Sequence, residues 1–377
     1  MRIWFMVAAV FALASAASAA EPGRPTAIFV SPIHEAQVVR GDDGMDHVEY
    51  ELLVVSVFPE PVTLSSVTVL DPAGKELMRI EGGALAAATQ TLFARTATAI
   101  IPASAAVSVD VDLVLPPDTT PDWVKHRIAY TLAAGSKLTL MVGSLQVDGP
   151  EVAINRQPAI VIKSPLAGNG WLATSGCCKP NVHRDLRIAI DGLRIETAET
   201  FAIDWARVKN DRIFDGDGRK AEQHYAFGEN VLAVADGTLV SIHDGMPNET
   251  PYQAMIPKAK EDYGGNHVML EITPKVFALY AHLHPGSLTV KVGDVVKAGA
   301  LLGKIGNSGP SEGPHLHFGL SDKPDFFAGR SLPFIFDSFT LVGAVDLASE
   351  PDHLMILPDS RQVRSAYPLY GGIQNYP

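Results

Sequence analysis

The chemistry-bearing side chains of this chain are concentrated. Of its 12 histidines, eight fall in one stretch: His183, His224, His243, His267, His282, His284, His315 and His317. The sharpest pattern among them is Gly313-Pro314-His315-Leu316-His317-Phe318. Side chains alternate between the faces of a strand, so histidines separated by one residue project from the same side. Two imidazoles aimed at one point suit a zinc ligand beside a proton-handling neighbour. Gly313 and Pro314 fix how the chain approaches that strand. An H-x-H pair on its own is only moderately specific, so its context decides.

That context lies upstream, in Leu279-Tyr280-Ala281-His282-Leu283 and in the glycine-punctuated run Val292-Gly293-Asp294-Val295-Val296-Lys297-Ala298-Gly299. Leu302-Gly303-Lys304-Ile305-Gly306-Asn307-Ser308-Gly309 then leads into the H-x-H segment, and Val231 to Val240 supplies a fourth motif. In this order the series resembles the lysostaphin/LytM-type zinc metallopeptidases, over roughly residues 160–345. The resemblance implies a Zn2+ ion held by a histidine and an aspartate of an early motif and by the second histidine of H-x-H, here His317. The early motif departs from the family's H-x-x-x-D. Asp204, in Phe201-Ala202-Ile203-Asp204-Trp205-Ala206, has no histidine four residues before it, and the nearest upstream is His183. Leu186 to Leu193 reads as strand and turn, so a hairpin inserted between His183 and Asp204 would bring them together. This widened arrangement resembles an exported branch of the family joined to a β-sandwich.

Rival donors exist. Asp185 and Asp191 are nearer His183, although Asp191-Gly192 reads as a turn tip. His224, beside Tyr225, is a substitute for His183; His267 reads as rim or packing, and His243 and His284 as exposed loop residues. Asp215-Gly216-Asp217-Gly218 has a calcium-loop look but lacks the regular continuation and terminal glutamate, which favours a solvated turn. With His183, Asp204 and His317 as ligands, a zinc ion keeps one open position, the pattern of catalytic rather than structural zinc. His282 and His315 are then left to orient and deprotonate water and to stabilise an oxyanion. The resemblance thus implies a zinc-dependent endopeptidase acting on the peptides of bacterial peptidoglycan. Two other readings stand beside it. One is a non-catalytic cell-wall or amidase-regulating protein built on the same domain. The other is a lipoyl-like barrel, which would leave H-x-H without a use.

The elements that must position these residues read as mainly β. At 377 residues the chain is long enough for two domains. Its net charge of −12 argues against nucleic acid as a partner. Residues 1–20 read as a signal peptide, with Arg2, the apolar Ile3 to Ala14 and the small residues Ala17-Ser18-Ala19-Ala20. The expected product is exported, periplasmic or secreted, with no stable membrane insertion after cleavage. Residues 21–150 carry strand runs such as Val48 to Phe58 and the alternating, half-buried Ala106 to Leu115, which suggest an immunoglobulin-like β-sandwich. Loop-like residues near 148–168 lead to the peptidase-like domain, where Val231 to Ile242 around Asp236-Gly237 reads as a hairpin. Residues 346–377 read as a packed or loose tail without a site, and no long amphipathic helix is expected. Cys177-Cys178, just before His183, allows three uses: a disulfide, thiolate capture of the zinc's open position, or incidental loop residues.

Overall fold

The structure, a computed structural model, describes residues 23–92, 96–253, 255–346 and 348–377; the expected signal segment lies outside them. Among the described residues strands dominate, and the one α-helix is Gly82–Ala88. No helix there is long and apolar enough to cross a membrane.

In the first half, strands pair in the order Glu76–Glu81, Val62–Leu70, Trp123–Leu132, Gln146–Asn155, Ala36–Arg40, Asp46–Ser56, Ala106–Leu115 and Thr89–Thr91. Alternation along Asp46–Ser56 and Ala106–Leu115 aims Val48, Tyr50, Leu52, Val107, Val109 and Val111 into one apolar core. The alternation of Ala106–Leu115 predicts that its opposite face meets solvent. Instead Glu49, Glu51 and Asp110 on that face of the pair are buried. The reason is that the second half docks there and supplies arginines to those carboxylates.

The second half is built on a long curled sheet. Its order is Ile160–Ile162, Phe334–Val345, Gly372–Tyr376, Gly168–Ser175, Ile203–Arg207, Leu316–Ser321, Val276–Leu283, Asn266–Thr273, Gly237–His243 and Val295–Val296. Trp205, Tyr280, Phe318, Phe334 and Phe336 fill the core beneath its centre. Trp205 holds Phe318 and Phe336 at ring-centroid distances of 6.2 and 5.9 Å.

One expectation changes here. Asp236-Gly237 does not close a hairpin: Asn230–Leu232 pairs with Leu301–Lys304, while Gly237–His243 pairs with Asn266–Thr273. Asp236 instead accepts hydrogen bonds from Ala298 N and Lys297 Nζ, holding the crossing between sheets. Gly237 is there because a Cβ would collide with the Glu271 carbonyl. The C-terminal stretch, for which a packed or loose tail was open, is packed. Ile356–Ala366 and Gly372–Tyr376 both pair with Phe334–Val345.

Candidate metal centre

The centre forms on three adjacent strands, Ile203–Arg207, Leu316–Ser321 and Val276–Leu283. Their register sets Asp204 opposite His317 and His317 opposite Ala281. Residues directly opposite in an antiparallel pair share a face, and His317 Nδ1 lies 2.9 Å from Asp204 Oδ1. His183 arrives from outside the sheet, its Nε2 3.0 Å from Asp204 Oδ2. The segment between them does form a hairpin, Arg187–Ile190 against Arg194–Thr197. Donor atoms of His183, Asp204 and His317 all lie within 4.8 Å of one another.

His315 immediately precedes its strand, and its Nε2 reaches to 3.4 Å from Asp204 Oδ1, the oxygen that His317 also meets. The one-residue spacing therefore does aim both imidazoles at one point. His282 gets its place from an irregularity. Partners step from Asn266–Leu283 to Val268–Tyr280, so the strand of His282 carries one extra residue, a β-bulge. At the bulge His282 adopts φ 61°, a left-handed conformation uncommon for a residue with a Cβ. Its ring centroid lies 4.8 Å from that of His315 and 5.9 Å from that of His317.

Backbone carbonyls fix the tautomers. Nδ1 of His183 faces Ala202 O at 3.1 Å, that of His282 faces Ser308 O at 2.9 Å and that of His315 faces Gly313 O at 2.8 Å. A carbonyl only accepts, so each Nδ1 carries a proton, and in the neutral imidazole Nε2 is the nitrogen with the lone pair. Charge follows the geometry. Burial would lower the His183 imidazole, but the Asp204 carboxylate outweighs it and raises the group to about 9. Burial would raise Asp204, yet His183 and His315 hold it well below the usual carboxylate range. For His282, burial and the neighbouring His315 and His317 push the imidazole well below its ordinary value, which keeps it neutral.

These residues sit at a cleft of about 560 Å³, whose walls include Tyr252, Tyr263, Phe326 and Tyr370. Tyr370 belongs to the stretch expected to hold no site. Glu199, which sequence reasoning passed over, also lines the cleft, with Oε1 3.7 Å from His317 Nε2. No spacing marks it; only the hairpin's return to Asp204 brings it there.

The rivals fall elsewhere. Asp191 is at the exposed hairpin tip with φ 54°, and neither it nor Asp185 joins the donor group. His224 lines the cleft wall, its Nε2 2.8 Å from Gly218 O. His267 stacks on His243 at 5.5 Å and meets Phe326 edge-on at 4.7 Å. Asp215 and Asp217 are exposed and accept bonds from Tyr225 Oη and Arg219 N. Cys177 and Cys178 are joined to each other by a disulfide. Capture of a metal by their thiolates is thereby ruled out in this state. A second group of donors, His47, Glu49, Asp112 and Cys178, is also close together. Its atoms are committed: Glu49 to Arg184, His47 to Asp43 and Asp112, Cys178 to the disulfide.

Two buried imidazoles and one half-buried carboxylate, at the edge of an open cleft, fit zinc in type and number, and three protein ligands is the count of a catalytic site. These residues thus form a candidate zinc centre on a curled antiparallel sheet.

The model of peptidase family M23 matches residues 222–327. That match contains His282, His315 and His317 but starts after His183 and Asp204. Lysostaphin of Staphylococcus simulans is 31% identical over 99 residues, which is 25% of this chain and 20% of that protein. The glycyl-glycine endopeptidase ALE-1 of Staphylococcus capitis is 33% identical over 100 residues, 25% of this chain and 27% of that one. The L-Ala–D-Glu endopeptidase of Bacillus subtilis is 28% identical over 95 residues, 23% of this chain and 29% of that one. The chain thus spans less than a third of the length of these relatives.

Proposed function

We propose that the protein is an exported zinc-dependent endopeptidase that hydrolyses peptide bonds of bacterial peptidoglycan. The observation that carries this is the convergence of His183, Asp204 and His317 within 4.8 Å, at a cleft that also holds His282 and His315. In this reading the first three residues are the metal ligands and the last two the catalytic pair. Zinc bound there supplies a Lewis acid that polarises a carbonyl and acidifies water. The protein's own residues do the rest. In its neutral form each of His282 and His315 offers an Nε2 lone pair to take a proton from water, and once protonated either can donate to an oxyanion. Asp204 stays ionised and opposes the cationic charge that builds at the site. Tyr252, Tyr263 and Tyr370 offer apolar walls with polar tips to an extended peptide, and Phe326 adds a wholly apolar one.

The organisation proposed with this function is a signal peptide over 1–20, an immunoglobulin-like sandwich over 21–150 and a peptidase domain from 160, with the 346–377 strands completing its sheet. The two relatives named for a bond differ in it, one glycyl-glycine and the other L-Ala–D-Glu. Both are peptide bonds, the class of substrate proposed here. The test combines metal analysis of the purified protein with digestion of defined muropeptides read by mass spectrometry. One zinc per chain and cleavage that His317→Ala abolishes are expected. Absence of stoichiometric zinc together with unchanged cleavage by His317→Ala would overturn the reading.

A further inference from the structure

Two of the three ligand residues are held by the sheet, and the third is not. Asp204 and His317 face each other in paired strands. His183 stands within residues 176–186, which join no strand. A ligating side chain has to be held to roughly 0.5 Å of its productive position, so something other than a ladder must fix this one.

The next residue supplies it. Arg184 is 0% exposed, and a buried guanidinium is tolerated only when its charge and donors are matched. Its Nε and Nη2 lie 3.2 and 3.1 Å from Glu51 Oε1. Nη2 also donates to Tyr50 O at 3.2 Å and Nη1 to Cys178 O at 3.4 Å, while Nη1 contacts the Glu49 carboxylate. Glu49, Tyr50 and Glu51 are consecutive residues of Asp46–Ser56, a strand of the first half. The inserted hairpin leans on the same surface. Arg187 donates to Asp110 at 2.5 Å, and Thr197 Oγ1 lies 3.5 Å from Glu51 Oε2.

We propose that Arg184 is a positioning residue, and that the first half of the chain helps build the metal centre by clamping Arg184 between Glu49 and Glu51 so that His183 is held against Asp204 and His317. This rests on reading those three residues as the zinc site. It makes the first half more than a tethered binding module, because metal affinity then depends on carboxylates that lie outside the peptidase-like domain. The widened spacing between His183 and Asp204 gains a purpose too: the extra chain is what reaches the first half.

The experiment measures zinc affinity of the whole protein by competition with a chelator, for the parent, Arg184→Met, Arg184→Lys, Glu51→Gln, Val67→Ala and His317→Ala. Loss of an outer partner of a metal ligand costs about 10–100-fold in affinity, and that loss is expected for Arg184→Met. Arg184→Lys, which keeps the charge, is expected to recover part of it. Val67 is buried in the apolar core of the first half. Val67→Ala should therefore lower the unfolding temperature and leave zinc affinity within about twofold of the parent, a change too small to reach the outer-partner range. Parent-like affinity in Arg184→Met overturns the proposal, and so does an equal loss in Val67→Ala. Should Arg184→Met fail to fold, the near-isosteric Glu51→Gln decides: weakened zinc binding supports the clamp and unchanged binding overturns it. His317→Ala separates the two levels. If the parent binds zinc, His317→Ala abolishes binding and the Arg184 variants bind normally, only the clamp fails. A parent that binds no zinc removes the underlying reading instead.

Discussion

At the scale of single residues, the four histidines and one aspartate of the centre divide by what their nitrogens and oxygens already touch. Asp204 meets His183 through one oxygen and His315 and His317 through the other, so it is the hub of the group. His282 has no contact with Asp204 of that kind; its Nδ1 is bound to Ser308 O. The two roles should separate in measurement. Asp204→Ala is expected to lose zinc and activity together. His282→Ala is expected to keep zinc at one per chain while peptide cleavage falls by about 10²–10⁴, the usual contribution of a general acid or base. Full zinc content with undiminished turnover in His282→Ala would remove it from the catalytic pair. How far the residues could be read from sequence follows the same division. His315 and His317 were legible because strand periodicity fixes their common face. Glu199 was not, because its place beside His317 depends on where a hairpin returns, and no local spacing encodes that.

At the scale of elements, regular pairing explains the placement of Asp204 and His317, and irregular pairing explains His282. Gly265 immediately precedes Asn266–Thr273, the strand against which the bulge forms. It has φ 57°, and a Cβ there would collide with the Ser308 carbonyl, the acceptor for His282 Nδ1. Gly265→Ala is therefore expected to destabilise the protein by about 1–3 kcal/mol, since it combines left-handed strain with a backbone clash. Urea unfolding measures that cost. Cleavage by the folded variant should fall as well, because the carbonyl that orients His282 must move; unchanged stability and activity would show that the turn can relax without consequence. Strand runs with clean alternation, such as Asp46–Ser56 and Leu316–Ser321, were legible in sequence. The bulge was not, because an inserted residue leaves no mark in an apolar run. The Asp236-Gly237 crossing was misread as a hairpin because its turn chemistry is the same; the difference lies in which distant strands claim each arm.

At the scale of the molecule, the two halves are joined by buried polar contacts, and composition gave no hint of them. Period-two alternation predicted the polar face of Ala106–Leu115 correctly and its exposure wrongly, because docking of another part of the chain is not a local property. The connection between the two C-terminal strands takes part in the same junction. Tyr367 N donates to Arg40 O, Asp42 N to Tyr367 O and Leu369 N to Asp42 Oδ2. Burial at this junction pushes the Asp42 carboxyl up to about 6, against the opposing pull of Leu369 N and Arg361. The sign of its effect follows from proton counts. Between about pH 4 and 6 the folded protein keeps a proton on Asp42 that the unfolded chain has released, so this residue's contribution to stability falls as pH rises through that window. Above it the deficit is constant and amounts to at most about 3 kcal/mol. Asp42→Asn keeps an acceptor for Leu369 N and removes the ionisation. It is expected to be more stable than the parent at pH 7 by about 1–3 kcal/mol, with the advantage shrinking toward pH 4. Urea unfolding of both proteins at several pH values tests this as a difference, in which all other titrating groups cancel to first order. A variant advantage that is absent at pH 7, or constant from pH 4 to 7, would mean that the junction does not hold Asp42 as a buried acid.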